Sequence, residues 1–233
     1  MKVFAISDLH LSVNNPKPMD IFGPVWEGYL DKIFKSWKEK VGSDDLVLLA
    51  GDFSWAMKLE ETKSDFDLIS SLPGKKVIIR GNHDYWWKSI SAVRGILPEN
   101  MFAIQNDALR IGNVVIAGTR GWQVLEKENE RSEEDKKIFD REVLRMEMTL
   151  SAGQKLLQEG DLFICMMHYP PTNFAKDDSE FSRLIEKYHV DKVVYGHLHG
   201  YKNPILQFTK NGIEYFLTSC DEVQNDLVLI GEV

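Results

Sequence analysis

Continuous apolar runs, set apart by amphipathic stretches, give this chain its pattern. Five have the length of buried strands: KVFAI from Lys2, LVLLA from Leu46, the KVIIR that ends at Arg80, LFICMM from Leu162 and KVVY from Lys192. Their apolar residues do not alternate with polar ones, which predicts strands covered on both faces, as in α/β proteins. Between the first two runs, Trp26, Tyr29, Leu30, Ile33, Phe34 and Trp37 recur at helical spacing. Leu59, Phe66 and Ile69 predict a second helix, ended by Pro73-Gly74.

After Gly95 the texture changes to short strands, with turn signals near Asn106-Asp107 and Gly112-Asn113. A long charged segment follows. Phe139, Val143, Met146, Leu150 and Leu157 form a stripe along it, so its second half reads as an amphipathic helix. The first half, around residues 126–137, reads as a solvated face or a mobile loop, and the sequence leaves open whether it is a lid. PILQFT, Lys210-Asn211-Gly212 and IEYFLTS have the pattern of a hairpin, and DLVLIGEV that of a last strand. No repeat, low-complexity stretch or linker interrupts the chain, so a single domain over residues 1–233 is expected.

Composition narrows the class. A content of 43% hydrophobic and 27% charged residues in 233 is that of an ordinary globular protein. The net charge of −8 gives no indication of a nucleic-acid partner. Phosphate chemistry stays open, because bound cations reverse a local field. Cys165 and Cys220 are too few for a disulfide framework and fit a reducing compartment. MKVFAIS is too short for a signal peptide, and no apolar run approaches the roughly 20 residues that span a bilayer. A cytoplasmic protein with no membrane span is expected, and nothing indicates its oligomeric state.

The chemistry gathers where the apolar runs stop. Asp8 and His10 follow the first run, and Gly51-Asp52 the second. Gly81-Asn82-His83-Asp84 follow the third, His168 the fourth, and Gly196-His197-Leu198-His199 the fifth. Ligands of open α/β sheets bind outside the carboxyl ends of the strands, so these side chains are delivered to one edge. Only His189 among the histidines falls outside the set, and a surface or packing role suits it.

Each fragment alone is weak, and a turn explains Gly81-Asn82 as well as a site does. Five in the same position point to metal binding. Asp8, His10, Asp52, Asn82, His168, His197 and His199 are too many donors for one tetrahedral ion. They suffice for two if one carboxylate bridges. Imidazole suits Zn or Fe, carboxylate and carbonyl oxygen suit Mn, and no cysteine joins them. With two carboxylates against two divalent cations, the site keeps a positive excess that attracts a phosphate ester. Two such ions about 3.5–4 Å apart clamp the ester, activate a bridging water and favour in-line displacement.

The series DLH, GD, GNHD, H and GHLH, in that order from Asp8 to His199, resembles the calcineurin-like metallophosphoesterases. The resemblance implies a four-layer α/β/β/α sandwich of two mixed sheets flanked by helices. It also implies two divalent metal ions, Mn or Fe/Zn. Asp8, His10 and His199 would hold one, Asn82, His168 and His197 the other, with Asp52 bridging. His83 would face the ester, stabilising its charge or protonating the leaving oxygen, and Asp84 would orient the His83 ring and favour its cation.

The expected activity is hydrolysis of a phosphate mono- or diester by a hydroxide bridging the two ions, on a small phosphate-ester substrate. The alternatives are a nuclease or nucleotide pyrophosphatase of the same superfamily, and a metal-binding scaffold without catalysis. GDFSWAM lacks the Asp-Arg-Gly element that protein serine/threonine phosphatases of the superfamily carry here. FGPVWEGYL with Trp55, Trp86 and Trp87 could line an acyl groove, although such aromatics are more often core. Arg120, in GTRGW, is a candidate substrate-binding residue with a surface salt bridge as its other reading. Arg80 is expected to pair with a neighbouring carboxylate, and HYPPTNF after His168 to wall the cleft.

Overall fold

Every run of the apolar pattern becomes a strand. The computed structural model describes residues 1–127 and 131–233. In chain order its strands are β1 (Lys2–Ile6), β2 (Leu46–Leu49), β3 (Lys75–Ile78), β4 (Met101–Ala103), β5 (Ala108–Ile111) and β6 (Val114–Thr119). β7 (Leu162–Met167), β8 (Lys192–Tyr195), β9 (Gln207–Lys210), β10 (Ile213–Leu217) and β11 (Val228–Glu232) follow. The helices are α1 (Tyr29–Lys40), α2 (Lys63–Ser70), α3 (Ile90–Arg94), α4 (Glu133–Gln154) and α5 (Glu180–Lys187).

The strands form two mixed sheets, ordered β11-β1-β2-β3-β4 and β5-β6-β7-β8-β10-β9. In the first, β1 to β4 run parallel and β11 antiparallel. In the second, β6, β7, β8 and β10 run parallel, while β5 and β9 turn back at the edges. β9 and β10 join through Asn211-Gly212, both at positive φ (53° and 82°), which suits the right-handed twist of a hairpin.

Three apolar layers follow from the strand period of two. Val3, Leu48, Val77, Ile116 and Ile164 fill the space between the sheets. Phe4, Ile6 and Leu49 point the other way, onto Ile33 and Trp37 of α1 and Phe66 and Ile69 of α2. Val115, Phe163 and Val193 meet Met146 and Leu150 of α4 and Ile185 of α5. The result is the expected α/β/β/α sandwich.

α4 starts at Glu133, well inside the charged segment, because the Ser132 hydroxyl accepts the Asp135 amide and three acidic residues occupy the first turn. Leu157 of the stripe lies beyond its end. The lid question falls partly on residues 128–130, which lie outside the described residues. Among the described residues, no helix is long and apolar enough to cross a membrane.

Candidate metal centre

The five chemical runs come from both sheets. β1, β2 and β3 end beside β7 and β8 of the other sheet, so the loops beyond them meet at one shared edge. The loops after β1, β2 and β8 bend sharply to turn side chains inward. Asp8, His10, Asp52 and His197 do so with left-handed backbones, at φ of 60°, 46°, 51° and 72°. L-residues rarely adopt this conformation, and such strain gathers at functional sites. Cross-loop bonds hold it: the Asp8 amide donates to Gly51 O and the His10 amide to Asp52 O, each at 3.0 Å.

Glycines make room for the carboxylates. A Cβ on Gly81 would fall 2.1 Å from Oδ1 of Asp52, and one on Gly196 would fall 2.5 Å from Oδ2 of Asp8. The glycines of the GNH and GH fragments are therefore fixed by side-chain volume.

Asp8, His10 and His199 place ligand atoms within 4.8 Å of one another, and so do Asp8, Asp52 and His168. Nε2 of His199 lies 3.3 Å from Oδ1 of Asp8. Oδ2 of Asp52 stands between the two halves, 3.8 Å from Nε2 of His10 and 3.6 Å from Nε2 of His168. Its Oδ1 accepts the His83 amide at 2.8 Å. Oδ1 of Asn82 lies 2.6 Å from Nε2 of His168 and 2.9 Å from Nδ1 of His197. All seven predicted donors thus converge.

Asn82 and His168 test whether these donors suit a cation. Nδ1 of His168 faces the Ala50 carbonyl at 3.0 Å, and a carbonyl only accepts, so the ring proton is on Nδ1. Nε2 is then a bare lone pair aimed at the Asn82 oxygen, which is another acceptor. Burial drives the His168 pKa down to about 3, against the pull of Asp8, so no second proton fills the gap. Two acceptors this close repel unless a positive ion lies between or beside them. The donor set fits a divalent metal.

Charge at His10 and His197 supports the same reading. Burial lowers His10 and His197 to about 4 despite Asp8, so both present neutral rings. Burial also opposes charge on His199, but Asp8 and Asp221 outweigh it and raise that ring to about 11. Asp8 is held well below the carboxylate range because the surrounding histidines outweigh its burial. Asp52, buried beside Asp84 and Asp8, is pushed up.

His83 is partly buried at the rim, its ring 5.7 Å from that of His10 and 5.0 Å from Trp55. The role expected of Asp84 is corrected. Its carboxylate turns away from the His83 ring and accepts the amides of Phe53, Ser54 and Gly81 and the indole of Trp86, at 2.9, 3.2, 2.7 and 3.0 Å. It staples the loops after β2 and β3, which carry Asp52 and Asn82. Nδ1 of His83 has the Tyr85 hydroxyl 3.5 Å away instead, and burial lowers the His83 pKa rather than favouring its cation.

Of the two readings offered for Arg120, the salt bridge is the one seen, with a buried rather than a surface partner. Arg120 sits 3.6 Å from the buried carboxylate of Glu142 and 4.9 Å over the Trp122 ring, lining a cavity separate from the cleft at the ligands. Its backbone carbonyl receives the amides of His168 and Tyr169, so the residue shapes the site through its main chain. Among the described residues Arg80 has no carboxylate partner, contrary to the expected pairing. Trp86 and Trp87 are core, whereas Trp55 stacks on the His10 ring at 4.6 Å. His189 is exposed, as expected.

Sequence reasoning missed Asp221, whose Oδ1 lies 2.7 Å from Nδ1 of His199. It missed Ser7 too, whose hydroxyl donates to Oδ2 of Asp8 at 2.5 Å. A cleft of about 300 Å³ opens beside His197 and His199, walled by Tyr169, Phe174, Lys176 and Tyr201. The HYPPTNF loop supplies one wall, as expected.

Solved structures with the same fold include a protein of unknown function from Aquifex aeolicus (14% identity, TM-score 0.51, 98% of this chain and 95% of that one). A phosphopantetheinyl hydrolase from Mycobacterium tuberculosis (14%, 0.55, 98% and 95%) and the protein TT1561 from Thermus thermophilus (14%, 0.57, 97% and 96%) also share it. A search of curated proteins finds no match. The sequence profile of the calcineurin-like phosphoesterases matches residues 1–201, which span all seven donors. The chain belongs to the calcineurin-like phosphoesterase family.

Proposed function

We propose that the chain hydrolyses a phosphate mono- or diester with two divalent metal ions, Mn or Fe/Zn, held by the converging donors. The observation that carries this is the pair of facing acceptors, Asn82 Oδ1 and His168 Nε2, beside a carboxylate, Asp52, that reaches toward both halves of the site. Asp8, His10 and His199 would hold one ion and Asn82, His168 and His197 the other, with Asp52 shared. Such ions supply Lewis-acid polarisation of the phosphoryl oxygens and a water of lowered pKa.

The chain's own residues do the rest. Ala50 and Asp221 fix the rings of His168 and His199 through their second nitrogens, as outer partners of metal-ligating histidines do. His83 stands at the open rim, placed to donate to a phosphoryl oxygen or to protonate the departing one. Its backbone amide holds Asp52, so one residue orients the shared carboxylate and faces the substrate. The cleft walled by Phe174 and Tyr201 would receive the leaving group. Lys176 beside it offers a cation to an anionic one.

The choice between ester types is experimental. Protein reconstituted with Mn²⁺ is assayed on a bis-aryl phosphate diester and on the aryl monoester. Turnover of either, abolished by a chelator, is expected. Two bound ions with no turnover of any phosphate ester would favour the non-catalytic scaffold.

A further inference from the structure

A second cavity, of about 230 Å³, lies beyond the carboxyl ends of β3, β4 and β6 and is covered by α4. Arg80, Arg120, Arg141 and Arg145 all line it, around the single buried carboxylate of Glu142. Three of these guanidiniums crowd the same oxygen: Arg145 Nη1, Arg120 Nη2 and Arg141 Nε lie 2.7, 3.6 and 3.7 Å from Oε1. The other carboxylate oxygen has the Thr119 hydroxyl at 3.3 Å.

Glu142 therefore balances one of four positive charges. Arg80 receives none of that balance. Its Nε is buried without a hydrogen-bond partner, and among the described residues no carboxylate pairs with it. Buried polar atoms in folded proteins nearly always have partners, so this orphaned guanidinium nitrogen calls for an acceptor; the Asn106 amide on the same wall is also unpartnered, and turned over it would add its NH2 to the donors. Repulsion from Arg80 and Arg141 acts on Arg120, which burial already disfavours as a cation. The excess is conspicuous in a chain of net charge −8.

We propose that this cavity binds a tetrahedral oxyanion of the phosphate class. Guanidinium forks match such oxygens in pairs, and several arginines recognise a dianion better than one carboxylate can neutralise them. The cavity shares no lining residue with the cleft at the metal ligands, so the anion is not the ester undergoing hydrolysis. Its occupant is either free phosphate or the phosphoryl group of a small metabolite.

Inorganic sulfate is a suitable probe, because ester hydrolysis neither consumes nor produces it. Calorimetric titration of sulfate into the full chain should show a saturable site besides the sulfate that the metal centre takes. Affinity should survive Asp52→Asn, which disables the metal centre, and fall about tenfold or more in Arg80→Met, with partial recovery in Arg80→Lys. Sulfate should also raise the Tm of the wild type and of Asp52→Asn by more than that of Arg80→Met, the excess being the part due to a ligand of the native state rather than to the salt's general stabilising effect. In Asp52→Asn, inorganic phosphate is then compared with glucose 6-phosphate. Tighter binding of the ester identifies a phosphorylated metabolite, and equal or weaker binding identifies the free anion. Absence of a saturable sulfate site, its loss in Asp52→Asn, or equal binding by folded Arg80→Met would overturn the proposal.

Discussion

Nδ1 of His199 lies 2.7 Å from Oδ1 of Asp221, while Nε2 of the same ring points at Asp8. This is the arrangement that holds a metal-ligating imidazole in one orientation and makes it a better donor. Asp221→Ala should weaken Mn²⁺ binding by about 10–100-fold while the far-ultraviolet circular dichroism stays that of the wild type. Unchanged affinity by calorimetry would make the contact incidental to the metal centre.

His83→Ala separates chemistry from metal binding. The variant should keep wild-type metal content, since no donor is removed, and lose about 10²-fold or more in turnover. Turnover at the wild-type rate with saturating metal would take His83 out of the mechanism. Tyr85→Phe, which removes the hydroxyl 3.5 Å from His83 Nδ1, should cost far less.

Asp84 acts through the fold rather than through His83. Asp84→Ala would orphan the buried amides of Phe53, Ser54 and Gly81, and should destabilise the protein by about 2–5 kcal/mol in urea denaturation. Metal affinity should fall with it, because the stapled loops carry Asp52 and Asn82. A variant of wild-type stability that loses only turnover would restore the role of orienting His83.

Lys76 gives a pH test outside the site. Its ammonium is buried on β3 and bonds to the carbonyls of Ser70 and Leu72 at the end of α2, and burial lowers its pKa from 10.5 to about 8. Between these values the unfolded chain holds a proton that the folded chain has released, so this group's contribution to stability rises with pH. Below about pH 8 both states are protonated and its cost is at full size. Relative to Lys76→Met, the wild type should therefore gain stability between pH 8 and 10.5. A constant or shrinking difference in urea midpoints across that window would refute the shift.

The strands were legible because they are buried on both faces, which leaves continuous apolar runs such as Ala5-Ile6 and Val47-Leu48. Their division between two sheets was not, since nothing in LFICMM distinguishes a partner in β6 from one in β3. The seven candidate donors were legible because each lies within four residues of the end of such a strand. Asp221 was hidden because its nearness to His199 depends on β10 lying parallel to β8, a contact invisible in SCDE. Asp84 was misread for the opposite reason: it neighbours His83 in sequence, but its carboxylate turns to the other side of the loop.

Activity as a function of bound metal tests the central claim most directly. Protein stripped by a chelator is titrated with Mn²⁺, and bis-aryl phosphate and aryl phosphate turnover are followed beside metal content per chain for the wild type and Asp52→Asn. The account predicts no turnover without metal, activity that saturates only as a second ion binds, and loss of both binding and turnover in Asp52→Asn. Turnover in the chelated wild type, saturation with one ion, or two ions retained by an active Asp52→Asn would contradict it.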